Sequence, residues 1–402
     1  MSGHDAIIIG GGVQGVMAAL ECVGRGRRPL LVERGRLGEG ATGASLGIVH
    51  GGLRYLQSLD LARWRRSRAE QMWFAREFPA YVAPLRCVMP LYRGSKRSRA
   101  LFAAAFAAQR LAGRLTGLGG APDDTGFLSA AETLAQHPVP AEGLTGGAYW
   151  TELALTDPPG LMRAIAARVT AGGGTVLENE TAEQLMRRAG RVTGVMTRAA
   201  GSHELVRRHA PVVLICAGSG AQALAARFDR KVAKLSAHML SFNLLLDRAL
   251  ESEAALALSP TPGRGRALFF RPLRGRTLVG TAYAPMSRES AGAAVPQREI
   301  MAFLRAIGRA APALADAPVV SVWSGCLPDE GGARPRLRER DLAWDHGHHG
   351  GPRGLVTLSP SKLTTAHAHA REALARLWPE ERRNVAPLPT LRAAGEPQWS
   401  LG

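Results

Sequence analysis

The sequence predicts an α/β protein of two domains. Three observations carry this. The N-terminus runs strand, glycine turn, helix, strand and acid in that order. At 402 residues the chain exceeds what one ordinary core accommodates. Its composition, 46% hydrophobic and 21% charged, is that of a globular chain able to bury a sizeable core.

The elements follow in order. Asp5-Ala6-Ile7-Ile8-Ile9 is short, apolar and β-branched, as a buried parallel strand requires. Residues 10–15, GGGVQG, then fit G-x-G-x-x-G through Gly10, Gly12 and Gly15. Gly10 permits a tight turn, Gly12 lets the backbone approach a pyrophosphate, and Gly15 allows close helix–strand packing. Residues 16–23, VMAALECV, read as a helix, stopped by Gly24, Gly26 and a basic run. The helix N-terminus offers free N–H groups and partial positive charge to phosphates. Residues 29–32, PLLV, form the second strand. Glu33 ends it, close to the spacing of a carboxylate that binds a ribose hydroxyl. A strand–helix turn without a ligand would not call for that acid. Such a unit accepts NAD or FAD. After Arg34 and Gly35, small residues continue from Gly38 to Gly47 where an NAD domain would enter another helix. That favours FAD, with the chain running along an extended cofactor.

Charge and cysteines bound the function. The net charge is +18, from 51 Lys and Arg against 33 Asp and Glu. An anionic substrate or an anionic membrane surface suits this balance, as does a coding bias towards arginine. With aromatics at 5% and no interleaving of basic and aromatic residues, nucleic acid ranks last and no nucleic-acid partner is expected. Cys22, Cys87, Cys216 and Cys326 lie far apart, which points to a reducing compartment without a disulfide framework or zinc site. No run of 18 apolar residues is long enough to span a membrane, and no signal peptide is visible. The expected localisation is cytoplasmic.

One loop is unusual: GATGASLGIVHGGLRYL, residues 40–56, ends in His50, two glycines, Arg54 and Tyr55. Together, IIIGGGVQG, LLVERG and ATGAS…HGGLRYL resemble the FAD-dependent glycerol-3-phosphate dehydrogenases, within the D-amino-acid-oxidase-like flavoproteins. HGGLRYL is the sharpest match. The resemblance continues through GAYWTELALTDPPGLMRAI (147–165), VVLICAGSGAQAL (212–224), RTLVGTAY (276–283) and SKLTTAHAHAREAL (361–374), and so covers most of residues 5–375. It implies a glutathione-reductase/D-amino-acid-oxidase-like fold. In it a Rossmann-like FAD domain (1–80, 150–225 and 335–380) interleaves with an α+β substrate or cap domain (81–149 and 226–334), followed by a loose tail (381–402). The family's longer members carry a further C-terminal helical domain, which this chain is expected to lack. Non-covalent FAD is implied, with contacts from Gly10, Gly12, Gly15, Glu33 and Arg34, from Thr42 and Ser45 of the loop, and later from Gly218, Lys362, Leu363 and Thr364. There are departures. Leu327, before Pro328, stands where the family has an arginine implied to hold substrate phosphate, and Ala282 stands where it has a polar or acidic residue. Arg340 matches a second family arginine at the substrate.

The residue types suit that chemistry. Oxidising an alcohol moves a hydride to flavin N5 and a proton to a base. His50 is the candidate base, since a free imidazole has a pKa of about 6.5; the competing reading is a loop-shaping histidine. Arg54 offers a planar fork to a phosphate or carboxylate, and Tyr55 a hydrogen bond to the same anion. Lys362, at an expected helix start, adds charge beside the flavin or substrate. The catalytic set is therefore His50, Arg54 and Lys362, with Arg54, Tyr55 and Arg340 on the substrate. Cys326 lies near where some relatives attach FAD covalently, a role it is not expected to share. HGHHG (346–350) reads as a solvated loop and not a metal site. Residues 93–118 combine a basic cluster with a helix-like run of Leu101, Phe102, Phe106 and Leu111. That segment either packs as a cap helix or lies on an anionic membrane, as would suit electron transfer to a quinone. The leading expectation is oxidation of glycerol 3-phosphate or a near analogue. The alternative is oxidation of an amino acid or 2-hydroxy acid, which Leu327 favours.

Overall fold

The computed structural model describes residues 3–379 apart from 120–123, 233–234, 236, 287–294 and 331–335. The tail expected to be loose lies outside the described residues. The first strand, Ala6–Ile9, is buried along its whole length and divides its side chains by period two. Ala6 and Ile8 enter one core cluster, and Ile7 and Ile9 another. That is why the run reads as continuously apolar: both faces of the sheet are covered.

Among the described residues this sheet has six strands, in the order Leu342–Asp345, Leu355–Ser359, Val213–Ile215, Ala6–Ile9, Pro29–Val32 and Thr175–Leu177. All neighbours are parallel except the first pair. Helices Val13–Gly24, Pro158–Ala171 and Ala366–Leu377 pack on one face. Helix Ala221–Phe228 and a three-stranded antiparallel sheet (Glu180–Arg188, Arg191–Ala199, Val206–His209) cover the other. The first helix begins at Val13, a turn earlier than its apolar run suggests, because the glycine turn itself enters the helix.

A second, nine-stranded sheet stands beside it among the described residues. It is built largely on the long antiparallel pairing of Val82–Tyr92 with Leu144–Leu155 and of Ala237–Leu246 with Val319–Asp329. Ile48–Val49, from the glycine-rich loop, pairs with Leu144–Leu155 and ties the loop into this sheet. The fold is thus the expected α/β arrangement of a nucleotide-binding sheet and a second, mixed sheet. The segment 93–118 forms the helix Arg99–Thr116, capped by Ser98, whose hydroxyl accepts the Leu101 amide, and ended by Gly117 in the left-handed region. Its first half is core: Phe102 and Phe106 pack on Trp150 and Phe127. Its last turns leave Leu111 and Leu115 exposed.

HGHHG departs from expectation. His348 is solvated, but His346 is fully buried between Asp229 and Thr357, and His349 stacks on Trp344 at 3.6 Å. A sequence pattern of glycines and histidines does not show that the following strand pulls the first histidine inward. Among the described residues no group of three or more His, Cys, Asp or Glu side chains is placed to hold a metal.

Candidate active site

The glycine turn is built as its spacing predicts. Gly10 sits at φ +110°, and a Cβ there would meet the Cys216 carbonyl at 2.6 Å. A Cβ on Gly15 would land on the Gly10 carbonyl oxygen, so helix and strand can approach only without it. At Gly12 the nearest obstacle is Thr42 Oγ1 at 3.3 Å. Thr42 lies on the small-residue loop and accepts the Val13 amide at 3.0 Å, which fixes that loop against the start of the helix. Glu33 is held by two amides, Gly11 at 2.5 Å and Gly35 at 2.8 Å, one on each carboxylate oxygen.

These residues open onto a cleft of about 920 Å³. Gly10, Gly12, Glu33, Arg34 and Thr42 line it from the N-terminal side; Gly218, Lys362 and Leu363 line it from later strands and turns. Gly15, Ser45 and Thr364 are not on its wall. Leu327 and Cys326 line it from the second sheet. A smaller cavity of about 430 Å³ adjoins it, with Ser361 and Lys362 common to both and Tyr55, Arg63, Arg66 and Arg340 on its wall. The fit to FAD rests on the cleft itself and on Gln14 Nε2, a buried polar atom on its wall left without a partner among the described residues; His50 lines neither cavity. Gly218 adds open space, since a Cβ there would meet nothing within 4 Å among the described residues.

His50, Arg54, Tyr55 and Lys362 come together. Gly51 lies against the Gln71 amide oxygen, where a Cβ would sit at 2.6 Å, and Gly52 takes φ +85°. That turn starts the short helix Leu53–Leu56, which sends Tyr55 inward and Arg54 to the surface. Tyr55 is the hub. Its hydroxyl accepts from Arg54 Nη2 at 3.0 Å and from Lys362 Nζ, and its ring lies 6.0 Å from His50. Lys362 and Arg54 also sit over the Tyr55 ring face, at 4.7 and 4.9 Å. Among the described residues neither Arg54 nor Lys362 has a carboxylate partner within ion-pair distance.

Two expectations are corrected. Lys362 does not start a helix: Ala366–Leu377 begins four residues later, and Lys362 lies in the preceding turn. The Asp341 carboxylate holds that turn by accepting the Ser361 amide at 2.6 Å and its hydroxyl at 2.7 Å. Nor does His50 keep the ordinary imidazole pKa. Burial, then the charges of Arg54 and Lys362, push it down to about 3, so the ring is neutral. Burial likewise lowers the pKa of Lys362, against the Tyr55 hydrogen bond that raises it.

Four side chains prop the loop, and the sequence reading missed all of them. Asn243 Nδ2 donates to the Ala44 carbonyl at 2.7 Å. Arg271 Nη1 donates to the Leu46 and Gly47 carbonyls at 2.8 and 3.2 Å. Gln71 Nε2 donates to the Val49 carbonyl at 3.1 Å. Glu152 accepts the Gly51 amide at 2.6 Å. Arg63 and Arg66, on the adjoining cavity, were missed too; each is paired with two acids, Asp60 and Glu339 for the first, Asp341 and Glu372 for the second. A buried arginine or glutamate inside an apolar strand was the one available signal.

A glycine-turn sheet, an acid at the end of its second strand and a cleft lined from a second sheet are the features of a dinucleotide-binding fold. Residues 5–376 match the family described as FAD dependent oxidoreductase, and the chain belongs to that family. It is 26% identical over 367 residues to the aerobic glycerol-3-phosphate dehydrogenase of Staphylococcus saprophyticus, covering 90% of this chain and 64% of that protein. The chain thus spans less than two thirds of that relative's length. Among solved structures it is similar to the glycerol-3-phosphate dehydrogenase of Bacillus halodurans complexed with FAD (TM-score 0.71, 20% identity, 96% of this chain and 66% of that one). It is also similar to the glycine oxidase of Geobacillus kaustophilus (TM-score 0.63, 19% identity, 98% of this chain and 100% of that one). At these identities the two structures show the fold.

Proposed function

We propose that this FAD-dependent oxidoreductase is a dehydrogenase of a small secondary alcohol that bears an anion, glycerol 3-phosphate or a near analogue. The observation that supports it most is the cluster of Arg54, Tyr55 and Lys362 beside the neutral ring of His50. Bound FAD supplies the acceptor for the hydride. Arg54 and Lys362, without carboxylate partners among the described residues, bind the substrate anion, and the Tyr55 hydroxyl between them orients it. Arg340, on the adjoining cavity, adds to the same field.

Burial, and after it the two cations that bind the anion, hold the His50 pKa down. An anion seated between the cations offsets their share and raises the His50 pKa, while the share due to burial remains. The imidazole then accepts the hydroxyl proton when substrate is present. Gly10, Gly12, Glu33, Arg34, Thr42 and Gly218 hold the cofactor from the cleft wall, with Gly15, Ser45 and Thr364 supporting that wall. The two interleaved units expected from the sequence belong to this reading, with the strand Leu144–Leu155 shared between them.

The reading includes a quinone as electron acceptor and a peripheral seat on the inner face of the cytoplasmic membrane. No helix among the described residues is long and apolar enough to cross a membrane. What supports a peripheral seat is the exposed end of helix Arg99–Thr116, where Leu111 and Leu115 stand with Arg110 and Arg114. A second reading, an amino-acid or 2-hydroxy-acid oxidase, draws on Leu327, which gives the cleft an apolar wall.

Anaerobic reduction tests both. Glycerol 3-phosphate bleaches the flavin band at about 450 nm under the first reading. Under the second it does not, and an amino or hydroxy acid does.

A further inference from the structure

The loop that carries His50 is gripped from behind by a buried acid that no part of the proposed chemistry uses. Glu152, in the strand Leu144–Leu155, is 6% exposed. One of its oxygens accepts the Gly51 amide at 2.6 Å and Gln71 Nε2 at 2.8 Å; the other accepts Trp150 Nε1 at 3.0 Å. Gln71 also holds the Val49 carbonyl, and its own oxygen accepts from the buried Arg68 at 2.7 Å. The peptide units on both sides of His50 are therefore fixed by one network, Arg68–Gln71–Glu152, reaching from the helix Leu61–Glu77 to the second sheet.

We propose that Glu152 is a positioning residue: its carboxylate clamps the Gly51 amide and so sets where the His50 ring stands relative to Tyr55 and Lys362. The clamp is strongest when the carboxyl is ionised: the charge strengthens all three hydrogen bonds, and a protonated acid gives up both that charge and one acceptor site to its own O–H. Burial raises its pKa to about 7, against the hydrogen bonds from Gly51, Trp150 and Gln71 and the charge of Arg68, all of which lower it. The other titratable group facing it is the buried Cys87 thiol, itself pushed up mainly by burial; Arg271 acts on that thiol in the opposite sense. The grip on the loop is accordingly strong above neutral pH and weaker below.

This inference rests on the proposed role of His50, but its test reads the loop directly. Hydrogen exchange by mass spectrometry is followed for the peptide spanning residues 47–53 in the full-length, FAD-loaded protein, corrected for intrinsic exchange, between pH 5.5 and 8.5. In the wild type, protection rises through an inflection at about 7. Glu152→Gln, close in size to the protonated acid, removes the inflection. At high pH it also speeds exchange of that peptide roughly tenfold, the loss of about one buried hydrogen bond. Trp150→Phe, which leaves the Gly51 contact in place, keeps an inflection. A wild-type profile flat in pH, or equal protection in wild type and Glu152→Gln, overturns the inference whatever the substrate is. If the loop responds as stated while glycerol 3-phosphate fails to reduce the flavin, the clamp stands and the proposed function falls.

Discussion

His50 illustrates how one residue's chemistry is set by its neighbours. Its Nδ1 is buried without a partner among the described residues, and two cations act on the ring. Removing one of them, in Lys362→Met, raises the His50 pKa. The check is the histidine carbon-bound proton titration by NMR, assigned with His50→Asn. A downward or absent shift would mean that Lys362 does not act on the ring. If His50 accepts the substrate proton, His50→Asn slows flavin reduction by roughly 10²- to 10⁴-fold while FAD stays bound. Arg54→Ala acts differently. Its guanidinium is exposed and donates to a hydroxyl, so its loss spares the fold and weakens substrate half-saturation by roughly 10- to 100-fold. Stopped-flow reduction across substrate concentrations separates the two effects.

Among the elements, the glycine turn and the first helix act as one unit. Gly15→Ala places a methyl group on the Gly10 carbonyl, so strand and helix must part; thermal melting is expected to fall by several degrees and flavin content with it. Gly12→Ala meets only Thr42 Oγ1 at 3.3 Å, so its melting temperature stays near wild type while FAD retention drops. Equal effects from the two substitutions would remove the distinction drawn between packing and cofactor approach. The turn before the last helix is tied instead to Asp341, through the Ser361 amide and hydroxyl, and Lys362 lies in that turn. The strands Ala6–Ile9 and Pro29–Val32 were legible because every side chain of each is apolar and buried. The props Asn243, Arg271, Gln71 and Glu152 were not. Each belongs to an element whose partner lies from 22 to more than 200 residues away, and no local period marks it.

Across the whole molecule, three helices meet on one buried histidine. His367, in the helix Ala366–Leu377, lies between Glu21 of the first helix at 2.9 Å and Glu70 of the helix Leu61–Glu77 at 3.1 Å, and it stacks on Trp73 at 3.8 Å. Arg25 lies 3.7 Å from Glu21, and Arg371 4.0 Å from Glu70. Burial opposes the charged ring, but the hydrogen bonds and charges of the two glutamates outweigh it and hold the His367 pKa above its ordinary value. The sign follows. The folded state binds the proton more tightly than the unfolded chain, so this stabilisation is complete below the unfolded pKa. It is lost as pH rises through the folded one. Melting temperature is therefore expected to decline on the alkaline side, and His367→Gln to flatten that limb. His367→Ala leaves two buried carboxylates facing each other and costs about 3–5 kcal/mol. Denaturant unfolding at pH 6 and pH 9 measures both; a His367→Gln protein with the wild-type slope would place the titrating group elsewhere.

By itself the sequence determined the nucleotide-binding unit and its cofactor class. Backbone sterics at Gly10 and Gly15, and the apolar runs of the flanking strands, act between near neighbours and so are written in adjacent letters. Only the tertiary structure decided that Lys362 donates to the hydroxyl of Tyr55, 307 residues away, and that His50 is held neutral beside them. It also decided that Glu152 stands beneath the loop and His346 inside the core. Those outcomes depend on the register of strands brought together from distant parts of the chain. Desolvation and charge act on a side chain through whatever the register places beside it, and a linear sequence does not specify those neighbours.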